Sequence, residues 1–252
     1  MSRRKLHREG LRLECLGGIA TLTLDRAERG NRVDLSLAQA LCTAAEDIEH
    51  DDSIRVVVLR ANGPDFCLGA EPELATGPVD WVEAIAALTR PVVAVIQGDA
   101  IGAGLELALA CDIRIASDRC HFAMPQVAAG VLPNCGGTQR LPRLIGASRA
   151  LELLLTARSI DAAEAQAIGL VSRVVAHRRL QQSARVLVGD LACRGPIALR
   201  YAKEAVWKGT DMTLAQGIRL EEDLYVLLQT SVDRSEGVRA FLNKRPPRFH
   251  GK

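Results

Sequence analysis

The chain of 252 residues is poor in rings, with four Phe, two Trp and two Tyr amounting to 3% of the total. That scarcity leaves no stacking platform for single-stranded nucleic acid. Charge of one sign is equally lacking. The 32 basic and 30 acidic side chains leave a net +2, too balanced for a binder of phosphate backbones. No CxxC pair occurs among the seven cysteines (15, 42, 67, 111, 120, 135 and 193), most of which sit inside apolar runs. An odd set of this kind excludes a disulfide scaffold and fits a reducing cytoplasm, where Cys acts as a small hydrophobe. His7, His50, His121, His177 and His250 are scattered, so no metal-ligand cluster is expected. There is no P-loop GK[ST] and no GxSxG elbow. The basic start is interrupted by Glu9, Arg12 and Glu14, which excludes a signal-peptide core. The most apolar window, Val92 to Cys111, could span a bilayer by length. Gln97, Asp99, Glu106 and three glycines within it point instead to a buried strand, turn and helix of a soluble protein without a membrane partner.

What is present is a large aliphatic share, 48% hydrophobic residues overall, in a chain long enough for one substantial core or a core with an appendage. Leu11 to Leu16 alternates, Gly17-Gly18 turns, and Ile19 to Leu24 follows, which predicts a β-hairpin. Asp34 can cap a helix running to about residue 49. The apolar, β-branched runs Ile54–Leu59, Val92–Ile96 and Ile113–Ile115 are expected to form buried parallel strands. Helix-like stretches at about 80–89 and 104–111 lie between them, giving an α/β architecture with right-handed crossovers. Beyond residue 145 helical patterns dominate, at about 147–157, 161–168, 178–193, 196–208, 213–229 and 234–243, with one short strand at Leu170–Val175. The expectation is an α/β core over 1–190 and a helical region over 191–252 that packs on a partner subunit.

Three stretches can carry chemistry. Gly98 to Glu106 joins a predicted strand to a helix, and its glycines and free helix-start N–H groups can hold a developing oxyanion. It does not complete the dinucleotide fingerprint GxGxxG, because Leu107 occupies the third position. Close helix–strand packing, with Glu106 merely favouring a helix N-terminus, explains the same residues. Phe66-Cys67-Leu68-Gly69-Ala70-Glu71 forms a loop at a strand's C-terminal end, where open α/β sheets bind ligands. Phe122 to Leu141 contains Gln126, an uncharged hydrogen-bonding group that cannot act as a general acid or base, and the double glycine Gly136-Gly137 opening a helix. Cys67 has no neighbouring His or Asn to activate it as a nucleophile.

Together these stretches resemble the enoyl-CoA hydratase/isomerase family, or crotonase superfamily. The matching segments are Val56–Arg60 with Phe66–Ala70, Arg90–Ala116, Gly136–Gly146, Ala162–Val175 and Glu236–Pro247, in order along nearly the whole chain. The resemblance implies a crotonase-like spiral of ββα units with a C-terminal helical trimerisation region, assembled as a trimer or dimer of trimers. It implies an acyl-CoA thioester substrate and no separate cofactor, coenzyme A being part of the substrate. Members polarise the thioester carbonyl with two main-chain N–H groups, which by position belong to Ala70 and Ala103. Phe241 and Lys244 match positions that reach a neighbouring subunit's coenzyme A. A basic residue near 28 often contacts the nucleotide; here Glu28 stands there, with Arg29 beside it.

The departures concern the catalytic pair. Family hydratases hold one water between two glutamates. Glu106 matches the first, and Gln126 occupies the second position. Glu71 replaces the Asp common after Gly-Ala, and Glu71 to Arg90 is about ten residues shorter than in hydratases, where it shapes the acyl pocket. The resemblance therefore implies an enoyl-CoA hydratase-type lyase with Glu106 as acid/base and Gln126 positioning water or substrate. A non-catalytic acyl-CoA-binding protein, or a lyase, dehydratase or decarboxylase using one carboxylate, is the alternative. A Δ3,Δ2-isomerase fits less well, because its base belongs where Gln126 stands.

Overall fold

The computed structural model describes residues 4–72, 74 and 80–252. The predicted hairpin is formed by β2 (Leu11–Leu16) and β3 (Ile19–Leu24), paired antiparallel from Leu11↔Leu24 to Leu16↔Ile19. Gly17 and Gly18 turn it with φ of 63° and 81°, a conformation that glycine adopts without Cβ strain. A further strand, β1 (Arg4–Arg8), pairs with the other edge of β2. Its charged sequence has no apolar alternation to announce it.

β3 leads into a parallel array of β4 (Val56–Ala61), β5 (Val92–Ile96), β7 (Ile113–Ser117) and β10 (Arg173–Val175), so the large sheet has seven strands. Parallel pairs need crossovers, and these contain α1 (Leu35–Glu49), α2 (Trp81–Ala86) and α3 (Ala103–Leu109). Two predicted strands are shifted or shortened by turns. Ile54 N–H donates to Asp51 C=O, and Leu170 and Val171 N–H both donate to Ala165 C=O.

The apolar runs are continuous because both sheet faces are covered. Val57, Leu59, Val92, Ala94 and Ile96 face the main core with Leu37, Leu41 and Ile48 of α1. Val56, Val58, Val93 and Val95 face Leu180, Ala184 and Val188 of α7 (Leu180–Ala192) on the other side. Asp34 caps α1 as expected, accepting Leu37 N–H at 3.0 Å. Burial raises its pKa, but the Leu37 N–H and the Arg26 guanidinium outweigh that and hold it at about 2.

A second, three-stranded sheet consists of β6 (Ala100–Ile101), β8 (His121–Ala123) and β9 (Ile160–Asp161). Single parallel bridges Cys67↔Ala100 and Val33↔Ala70 extend this layer. Strands of two or three residues are too short for an alternating pattern to register.

The remaining helices are α4 (Gly137–Ile145), α5 (Ala147–Thr156), α6 (Ala162–Ala167), α8 (Pro196–Gly209), α9 (Leu214–Gln229) and α10 (Val232–Leu242). Asp112 ties α8 to the core: one carboxylate oxygen accepts Trp207 Nε1–H at 2.8 Å, and the other lies 2.9 Å from Lys203 Nζ. Among the described residues no helix is long and apolar enough to cross a membrane.

Candidate active site

β6 and β8 run parallel, so the residues following each strand emerge at the same end. α3 follows β6, and the turn carrying Gln126 follows β8. Gly102 N–H, donating to Ala123 C=O at 2.9 Å, joins the two exits. Glu106 lies one turn into α3 and is 1% exposed. Its Oε1 accepts the N–H groups of Gly137 at 2.8 Å and Cys135 at 2.9 Å, and its Oε2 accepts Gln126 Nε2–H at 3.3 Å. These donors all come from outside α3. The carboxylate therefore ties α3 to the Cys135–Gly137 loop and does not serve its own helix start.

The clamp depends on glycine. A Cβ on Gly137 would stand 2.9 Å from Glu106 Oε1 and 3.0 Å from Met124 Cε. Arg140 steadies the same loop, its Nη1–H donating to Cys135 C=O at 3.0 Å while the guanidinium pairs with Glu83. Burial raises the Glu106 pKa; the Gly137 and Cys135 N–H groups and the Arg140 charge oppose it without cancelling it. A carboxyl shifted toward neutrality can both take and return a proton. Gln126 Oε1 is buried and has no hydrogen-bond partner among the described residues, an acceptor that costs free energy unless something donates to it.

The Phe66–Ala70 loop is brought alongside α3 by the Cys67↔Ala100 bridge, with Ile101 N–H donating to Cys67 C=O at 3.0 Å. Gly104 permits the approach: a Cβ there would fall 2.1 Å from Cys67 O. Gly69 C=O and Glu71 N–H both bond to Val33, which turns the intervening Ala70 N–H away from that bridge. Neither Ala70 N–H nor Ala103 N–H donates to a described residue. Glu106, Gln126, Ala103 and the Ala70 loop thus form one cluster.

Arg29 lies next to it, with Nη2–H donating to Glu71 Oε1 at 3.0 Å and Nη1 3.6 Å from Asp34 Oδ2. Phe241 and Lys244 lie elsewhere on the chain. Phe241, 82% exposed, edges a groove with Gly195, Leu228 and Phe249, and Lys244 follows the end of α10. The short segment from Glu71 to Arg90 falls partly outside the described residues, at 73 and 75–79.

Cys67 is fully buried, and its Sγ–H donates to Asn31 C=O at 3.2 Å. Burial pushes its thiol up to about 12, which leaves it inert at neutral pH. Among the described residues no group of three His, Cys, Asp or Glu side chains could hold a metal ion. Two contributors escaped the sequence reading. The Cys135 amide is one, because main-chain donors have no residue signature. Asn31 is the other: buried at φ 54°, its Nδ2 donates to Asn62 C=O at 2.9 Å and Asp65 C=O at 3.0 Å, pinning the loop that leads to Ala70. The Gly30-Asn31 dipeptide was its available signal.

The enoyl-CoA hydratase/isomerase family model matches residues 14–252. The mitochondrial methylglutaconyl-CoA hydratase of Homo sapiens is 38% identical, with 93% of this chain and 74% of that protein covered. The 2,3-dehydroadipyl-CoA hydratase of Escherichia coli is 37% identical over 93% of this chain and 96% of its own. Among solved structures, the enoyl-CoA hydratase of Bacillus anthracis superposes with a TM-score of 0.93 at 35% identity, covering 97% of this chain and 100% of that one.

Proposed function

The chain belongs to the enoyl-CoA hydratase/isomerase family, and from that premise we propose that it adds water reversibly to a trans-2-enoyl-CoA. The reading is carried by one observation: a buried carboxylate, Glu106, is held by two foreign amides beside two main-chain N–H groups that have no partner among the described residues. In the forward direction water oxygen bonds to Cβ. The π pair moves through Cα to the thioester carbonyl, where Ala70 and Ala103 N–H stabilise the enolate oxygen. The proton lost by water goes to Glu106, and the same carboxyl returns it to Cα as the carbonyl reforms. Gln126 cannot take part in that transfer; its amide donates to Glu106 and leaves Oε1 to accept a hydrogen bond from water or substrate. The bound thioester is the substrate, and no separate cofactor is assigned.

The names of the relatives, methylglutaconyl-CoA and dehydroadipyl-CoA hydratase, support an acyl-CoA hydration reaction without selecting the acyl group. Self-association as a trimer or dimer of trimers is part of the proposal. It is supported by exposed apolar side chains on the C-terminal helices, including Leu214 at 81% and Phe241 at 82%; Phe241 and Lys244 would then face a neighbour's coenzyme A. A cytoplasmic location belongs to the same reading.

The test is consumption of enoyl-CoAs of graded chain length, followed by loss of the conjugated thioester absorbance. Turnover by the protein that disappears in Glu106→Gln is the expected result. Tight thioester binding with no turnover of any enoyl-CoA would overturn it. That outcome would favour the second reading, an acyl-CoA-binding protein, whose specific support is the amide of Gln126 where a second carboxylate would sit.

A further inference from the structure

Cys135 is held by both of its main-chain groups. Its N–H donates to Glu106 Oε1 at 2.9 Å, and its C=O accepts Arg140 Nη1–H at 3.0 Å. One residue thus joins a buried carboxylate to a guanidinium. A Cβ on Gly136, at φ 91°, would stand 2.2 Å from Arg140 Nη1, so the guanidinium occupies space that only glycine leaves open. The two glycines of the loop serve different partners, Gly137 the carboxylate and Gly136 the cation. The other arm of Arg140, Nη2–H, donates to Glu83 of α2. In this pair the Arg140 side chain is 19% exposed and that of Glu83 56%.

The other groups around the clamp supply no positive charge. Gln126 and Met124, which follow β8, are uncharged. The Cys135 thiol, pushed up to about 12 by burial and by the Glu106 charge, is neutral at physiological pH. Asp80, the residue before α2, adds negative charge near Cys135, as Glu83 does beside Arg140.

We propose that Arg140 is a positioning residue for the reaction: it fixes the loop that holds Glu106 and keeps that carboxylate ready to accept the proton of water, while Glu83 tempers its charge. This rests on the reading of Glu106 as the acid/base. Arg140 acts through Cys135 and Glu106 and not on the substrate itself. Its cation favours the ionised form of a carboxyl that burial drives toward neutrality. By pairing with Arg140, Glu83 cancels part of that effect.

The test follows the ionisation of Glu106 in Arg140→Gln, Arg140→Lys and Glu83→Gln by two routes. One is the pH dependence of kcat/KM on crotonyl-CoA. The other is the pH window of urea midpoints, each measured against the same protein carrying Glu106→Gln. Removing the cation in Arg140→Gln should raise the apparent pKa by about one pH unit, the low end for a single nearby charge. The urea window, which closes as pH rises through the folded-state pKa, should extend upward with it. The plateau of kcat should fall by about tenfold or more, because the loop loses an anchor. Arg140→Lys keeps the charge without the planar fork, so the pKa should return while the plateau stays low. Glu83→Gln should move the pKa downward, by a smaller step because Glu83 is the exposed partner. That variant decides the matter if Arg140→Gln does not fold. Mere loosening of the loop would admit water and lower the pKa in every variant. A fall or no change in Arg140→Gln, or a rise or no change in Glu83→Gln, therefore overturns the proposal. No turnover of crotonyl-CoA by the unaltered protein, with the urea windows moving as described, overturns the hydration reading and upholds the link from Arg140 to Glu106.

Discussion

Gln126 Nε2 donates to Glu106 Oε2 at 3.3 Å, so the buried carboxylate faces a neutral amide across its open side. Its other oxygen is already taken by the Gly137 and Cys135 amides. Among the described residues the pair therefore contains one ionisable group able to move a proton, and its behaviour follows from that asymmetry.

Replacing Glu106 with Gln removes that group while retaining an oxygen for the two amides. Enoyl-CoA hydration should fall by roughly 10²–10⁴-fold, the usual weight of a general acid–base. Thioester affinity should change little, because Ala70 and Ala103 act through their main chain. A parallel loss of affinity would mean that Glu106 supports the binding site instead of the reaction.

Gln126→Glu places a second carboxyl beside the first. Two such groups so close cannot both ionise easily, so one proton is shared and the apparent pKa values separate. The expected result is a faster hydration rate, by about 10²-fold at its optimum, and a second ionisation in the pH–rate profile. An unaltered rate and profile would show that the pair does not act on the reacting atoms.

Burial raises the Glu106 pKa despite its amide donors, and two opposite pH dependences follow. Activity needs the carboxylate, so log kcat/KM should rise through an apparent pKa above the ordinary glutamate range. Stability runs the other way. The fold favours the protonated carboxyl, a contribution complete below the unfolded-state pKa and lost as pH rises through the raised folded one. Urea midpoints of the protein relative to Glu106→Gln should fall across that window.

Gly137→Ala would put a methyl 2.9 Å from Glu106 Oε1. Overpacking of this kind costs about 1–3 kcal/mol and displaces the carboxylate from its clamp. Thermal unfolding should shift modestly while kcat drops by at least about tenfold, since one 1.36 kcal/mol increment in the barrier is a factor of ten. Full activity would mean that the clamp has no role in aligning Glu106.

Asp112→Ala strips the carboxylate from Lys203, whose side chain is only 11% exposed and keeps Arg90 C=O at 3.1 Å, and from Trp207 Nε1 and Val92 N–H. Leaving a buried charge unpaired costs about 3 kcal/mol or more. Denaturant unfolding should lose that amount. Limited proteolysis should cut first near α8, the helix this carboxylate ties to the start of β5.

The sequence alone determined a good deal. The alternation around Gly17-Gly18 specified the hairpin, Asp34 specified the start of α1, and the apolar runs ending at Ile96 and Ile115 specified buried strands, because these are local preferences with a period. Glu106, Gln126, Ala70 and Ala103 were marked as candidate site residues by the family pattern, whereas spacing alone favoured packing. Only the tertiary structure decided that Glu106 accepts amides from the Cys135–Gly137 loop, about thirty positions away in the chain. It likewise decided that Arg26 and Arg29 are matched by Asp34 and Glu71. Charge pairing and amide donation depend on which loops meet in space. The scarcity of rings and of net charge excludes whole classes of ligand, but the fold determines which cation and which carboxylate face the site.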